Sequence, residues 1–121
     1  MELEDRVTIA SENDADMFIS IHYDGFENNN VRGMTSYYYQ NQDKKIADLI
    51  HHHIFMQEIG TRDRGVSFGD YYVLRENKVP AVLLELGYIS NAEDEALINT
   101  TAFRKKVATG IVNGIINYFA E

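Results

Sequence analysis

Two residues in this chain of 121 stand where a reactive side chain is costly to place. Glu85 lies inside the run Ala81-Val82-Leu83-Leu84-Glu85-Leu86. A carboxylate among such neighbours is expensive unless it is paired or protonated. Burial raises its pKa, which suits a general base or acid near neutral pH. The plainer account is a structural ion pair, to Arg75 or Arg64, and spacing alone does not separate the two. His22 closes a second apolar run, Met17–Ile21. A lone histidine at a strand end is more often a hydrogen-bonded core residue than a metal ligand, and zinc needs three or four protein ligands.

Other candidates are weaker. His51, His52 and His53 are consecutive, and consecutive residues on a helix diverge too far to share one ion. His53 falls near an apolar stripe, whereas His51 and His52 are expected to face solvent. Tyr37, Tyr38 and Tyr39 could line a sugar or peptide groove, but aromatic residues in a half-buried strand explain them as well.

These residues need elements to position them. Helical spacing is expected over 3–13, ended by Asn13-Asp14. Residues 16–22 and 81–86 are apolar at nearly every position, as in strands covered on both faces. Proline at position 80 is tolerated at the start of the second. Strands are also expected at 34–39 and 71–75, with 61–70 irregular between them. Helices are expected over 43–59, with Gly60 as its stop, and over 93–98. The last helix repeats Phe103, Val107, Ile111, Ile115 and Phe119, widened by Ala108, Val112 and Ile116. That stripe needs a large surface, most simply a sheet. The order predicts an α/β fold with a mixed, mostly parallel sheet flanked by helices. Four short strands with such apolar runs should have further neighbours, which suggests a domain truncated at its N-terminus.

The length suits one domain. Lys and Arg number 11 against 19 Asp and Glu, a net charge of −8. That argues against nucleic acid as a partner and against a basic lipid-docking patch. No cysteine is present, so disulfides and thiolate chemistry are excluded and any metal must use His and carboxylates. No run is long enough to span a membrane, and no segment reads as a signal peptide.

Four blocks, in order, resemble one family. LEDRVTIASENDADMFISIHYD (3–24), RGV (64–66), VLRENKVPAVLLELGYISNAED (73–94) and FRKKVATGIVNGIINYF (103–119) are similar to segments of the zinc-dependent N-acetylmuramoyl-L-alanine amidases. The ELGYISN block with SIH upstream is the specific part. The resemblance implies a peptidoglycan hydrolase that cleaves the amide between N-acetylmuramic acid and the L-alanine of the stem peptide. It implies that His22 is the last of three zinc ligands and that Glu85 is the catalytic carboxylate. In such a domain zinc carries a water and lowers its pKa, and Glu85 takes the proton.

Two departures qualify this. The family's opening GHGG-type strand and the helix glutamate that follows, which hold the first two ligands, have no counterpart here. Asp24 stands where Asn is usual after SIH, and Tyr88 where Phe is usual. Residues 1–121 are therefore expected to form the C-terminal two-thirds of an amidase catalytic domain. Zn2+ would belong to the intact domain, with weak metal binding and no turnover in this chain alone. A bacterial protein outside the cell or at the wall is implied, with its targeting signal elsewhere. The alternative is a non-catalytic module that keeps the fold and binds wall glycan or a protein. Self-association or domain swapping through the uncovered sheet is expected either way.

Overall fold

Ala81–Tyr88 (β4) is buried at every position, and the fold is arranged to cover it. In the computed structural model, which describes residues 1–120, it lies second in a four-stranded sheet of order β1-β4-β2-β3. The other strands are β1 (Phe18–Asp24), β2 (Met34–Tyr38) and β3 (Asp63–Phe68). β1 runs parallel to β4, β2 antiparallel to it, and β3 parallel to β2. The sheet is thus mixed and mostly parallel, as expected.

The helices are α1 (Leu3–Glu12), α2 (Lys44–Phe55), α3 (Tyr72–Arg75), α4 (Ala92–Ile98) and α5 (Thr101–Phe119). One face of the sheet presents Met34, Val82, Leu84 and Leu86 to Ile46, Ile50 and Ile54 of α2, and Phe103 and Val107 of α5 belong to the same core. The opposite face presents Ala81 and Leu83 to Val73 and Leu74 of α3, with Phe18 and Val7 alongside. Alternation along β4 divides its apolar residues between these two cores.

Two segments differ from expectation. Residues 63–68 form a strand, not an irregular stretch. β3 is an edge strand with little burial, so it lacks an apolar period, and Gly65 at φ +82° sits in a bulge opposite β2. Residues 72–75 form a helical turn, not a strand. The N–H groups of Leu74 and Arg75 both donate to the Tyr71 carbonyl, and the turn buries Val73 and Leu74 together against Ala81 and Leu83. Tertiary burial has overridden β propensity there.

The last helix also packs differently. Its buried face is Phe103, Val107, Gly110 and Gly114, and it lies on α2. A Cβ at Gly110 would stand 2.4 Å from Ile54 Cα, and one at Gly114 would stand 2.6 Å from Ile50 Cα. Hydropathy cannot register a contact made by absent side chains. Val112, Ile116 and Phe119, read as widening or ending the stripe, are exposed. α2 ends at Phe55, earlier than expected, and Glu58 turns the chain at φ +53° before Gly60.

Candidate active site

His22 and Glu85 are direct partners in the parallel register of β1 and β4. Their side chains therefore emerge on the same face, towards the carboxyl ends of both strands. Open α/β sheets collect ligands at such ends. Phe18 with Ala81 and Ser20 with Leu83 precede them on that face, so the polar pair follows a dry floor.

Glu85 is only 4% exposed. Between His22 and Asp24 the register shifts, and the Asp24 N–H donates to Glu85 Oε1 at 2.8 Å. Burial pushes the Glu85 carboxyl up to about 8; a hydrogen bond and negative charge from the Asp24 side chain act in the same direction, against the Asp24 amide. A carboxyl poised there can take and release a proton near neutral pH. The ion-pair account of Glu85 does not hold. Arg75 pairs with Asp70 and Glu76, and Arg64 is exposed on the rim, where its charge reaches the Tyr88 hydroxyl.

His22 is half-buried. Its Nε2 is 2.7 Å from Ser20 Oγ, and its Nδ1 is 3.8 Å from Asp24 Oδ1. Asp24, which reads in the sequence as a minor departure, thus touches both residues of the pair.

The loop after His22 is fastened to the loop after Glu85. The Phe26 N–H donates to Ser90 Oγ, and Asn91 Nδ2 donates to the Asn29 carbonyl. Asp94, 1% exposed, accepts from the Gly33 and Tyr88 N–H groups and from the Thr61 hydroxyl. Arg32 ion-pairs with Glu93 and Asp94. The polar residues of the ELGYISNAED block hold the two loops together.

The sequence and fold match known proteins. The family described as N-acetylmuramoyl-L-alanine amidase matches residues 1–117. The chain belongs to that amidase family. It is 42% identical over 105 residues to "Probable cell wall amidase LytH" of Staphylococcus aureus, covering 87% of this chain and 36% of the relative. It is 37% identical over 124 residues to an uncharacterized cell wall amidase of Bacillus anthracis, covering 94% of this chain and 23% of that one. Among solved structures, the catalytic domain of the amidase CwlV from Bacillus (Paenibacillus) polymyxa superposes with a TM-score of 0.93 at 38% identity. That match covers 99% of this chain and 66% of CwlV's. An amidase of Clostridium difficile 630 gives 0.94 at 30% identity, covering 100% and 67%. The chain spans about a third or less of the curated relatives' length and about two thirds of the solved amidases.

The amidase resemblance implies zinc, and the donor set can be tested for it. Among the described residues, no group of three His, Asp or Glu side chains is placed to hold a metal. His22 offers one imidazole, already engaged by Ser20. These residues do not by themselves make a zinc centre of three protein ligands.

Elsewhere the amidase chain departs from its sequence reading. His51 does not face solvent. It is 6% exposed and lies between Ser36 Oγ, 2.8 Å from Nδ1, and Asp63 Oδ1, 2.7 Å from Nε2. α2 is covered by the sheet on one side and α5 on the other, so its buried face is wider than one stripe. His52 is exposed and His53 half-buried. Of the three tyrosines, Tyr37 lies on the Glu85 face, Tyr38 packs on the α2 side and Tyr39 packs on the α3 side. A cavity of about 570 Å³ lies between the C-terminal half of α1 and residues 76–79. That is the opposite end of the sheet from Glu85, and it contains neither candidate residue.

Proposed function

We propose that this chain is the catalytic-carboxylate portion of a peptidoglycan hydrolase that cleaves the amide between N-acetylmuramic acid and the L-alanine of the stem peptide. The observation that carries this is the pairing of His22 with Glu85 on one face, with Glu85 buried and raised to about 8. Glu85 takes a proton from the water that attacks the amide carbonyl. As the carbon–nitrogen bond breaks, it hands that proton to the departing amine, which must be protonated to leave. His22 would give one imidazole to Zn2+. The described residues supply no complete ligand set, so zinc binding by these residues alone is weak and turnover absent. The relatives are named cell wall amidases, and the substrate places the protein outside the cell or at the wall.

The test is a chimaera in which this chain replaces the corresponding two thirds of CwlV's catalytic domain. Release of free L-alanine amino groups from purified peptidoglycan is expected, and Glu85→Gln should abolish it. A properly folded, zinc-loaded chimaera that releases none would overturn the reading. For the 121-residue chain alone, stoichiometric, tightly held zinc by mass spectrometry would overturn the expectation of weak binding.

A second reading is a non-catalytic module that keeps the fold and binds wall glycan or a protein. It predicts peptidoglycan binding without hydrolysis, even in the chimaera. Both readings share the edge formed by β1, which pairs only with β4 among the described residues and leaves Ile21 51% exposed. We expect self-association through this edge. Light scattering that shows a monomer at all concentrations would exclude it.

A further inference from the structure

Beside Glu85 the sheet is aromatic. Thr35 of β2 pairs with Glu85 and Tyr37 pairs with Leu83, so all four share one face. Tyr71, just before α3, packs across Tyr37 with ring centroids 5.2 Å apart and planes at 64°. Gly69 makes that possible. A Cβ there would stand 2.6 and 2.8 Å from Tyr71 ring carbons and 2.9 Å from the Tyr37 ring. A glycine is therefore needed for both rings to sit where they do. Yet Tyr71 remains 40% exposed. A large side chain fixed by its neighbours and still open to solvent presents area at little entropic cost, as contact residues do.

We propose that Tyr71 is a specificity-determining contact: its ring packs on the muramoyl-peptide substrate and its hydroxyl donates to an amide carbonyl of that substrate beside Glu85. This inference rests on the amidase reading. Tyr37 is the support that aims Tyr71. Burial first, then the charge of Tyr37 and a hydrogen bond with its side chain, then the nearby Glu85 and Tyr88 charges, push the Tyr71 hydroxyl up to about 12. It keeps its proton at any working pH and stays a donor.

The experiment titrates a soluble N-acetylmuramoyl-L-alanyl peptide into the 121-residue chain. The chain has no tryptophan, so tyrosine emission and amide NMR shifts report binding without interference. Tyr71→Phe, which keeps the ring, should weaken binding roughly three- to tenfold, the worth of one hydrogen bond. Tyr71→Ala should weaken it by more than Tyr71→Phe. Gly69→Ala should also weaken it, by displacing the ring. A purely structural tyrosine would instead lower the melting temperature and leave affinity unchanged. Wild-type affinity in a folded Tyr71→Phe and Tyr71→Ala would overturn the proposal and leave the amidase reading standing. No binding by the wild-type chain would overturn this proposal, while the amidase reading stands or falls with the chimaera.

Discussion

Thr35 and Ser36 are neighbours on β2 and point to opposite faces of the sheet, each into a polar cluster. Behind Ser36 the cluster is closed. Ser36 meets one nitrogen of His51, and Asp63 meets the other and also accepts the Gly65 N–H. Burial raises the Asp63 carboxyl, but hydrogen bonds from His51 and Gly65 outweigh it and hold it below its ordinary value. In front, beside Thr35, the cluster is open. Glu85 is raised to about 8, and His22 is half-buried with Nδ1 3.8 Å from the nearest carboxylate oxygen. Both clusters contain serine, histidine and a carboxylate. The closed one holds β2, β3 and α2 together. The open one keeps a carboxyl buried without a cationic partner, the kind of perturbed group that clusters at functional sites.

The comparison can be broken in several places. The largest effect is expected at Glu85: in the chimaera, Glu85→Gln should cost roughly a hundred- to ten-thousand-fold in turnover, measured as amine release. A residual rate close to wild type would make the open cluster as structural as the closed one. Next, His51→Ala should destabilise by about 2 kcal/mol, because it strands the fully buried Ser36 hydroxyl and opens a void. Urea denaturation checks this, and a loss under about 0.5 kcal/mol would mean that the cluster is not a strut.

A smaller effect separates the clusters by pH. Glu85 titrates near 4.5 when unfolded and near 8 when folded. The folded state therefore holds a proton that the unfolded state gives up. The stability that this contributes is complete below about 4.5 and is lost as pH rises to about 8. Asp63 has the opposite sign, and its contribution is lost as pH falls through its lowered value. Melting curves across pH should show Glu85→Gln gaining on wild type towards pH 8. An unchanged difference would contradict the raised carboxyl. The smallest effect is expected at His22, where replacement by alanine should cost no more than about 0.5 kcal/mol, since it is half-buried and its contacts are the Ser20 hydroxyl and a loose 3.8 Å approach to Asp24.

Glu85 was legible in the sequence because its strand, β4, is buried at every position. A charged residue inside such a run breaks the pattern, and Glu85 breaks it plainly. His22 showed itself as the end of a second apolar run, so that the two side chains could converge on one cleft beyond the strand ends; the resemblance gave each its role. His51 was not legible. Its burial depends on how α2 is sandwiched, and a histidine beside two others reads as a solvated face. Tyr71 was read as part of a strand, since aromatic and β-branched neighbours favour one. Asp94 gave a signal only as part of the ELGYISNAED block, and its hydrogen bonds to Gly33 and Thr61 come from far along the chain.

The amino-acid order alone determined the α/β class, apolar strands over 16–22 and 81–86, the terminal helix and the two candidate residues, because hydrophobic period and punctuation are local properties. Strand order, the His22–Glu85 register, the helical turn at 72–75 and the seating of α5 on α2 were decided only in three dimensions. Each depends on which surfaces meet. Glycines such as Gly69, Gly110 and Gly114 shape those meetings by what they leave out, and no local pattern records an absent side chain.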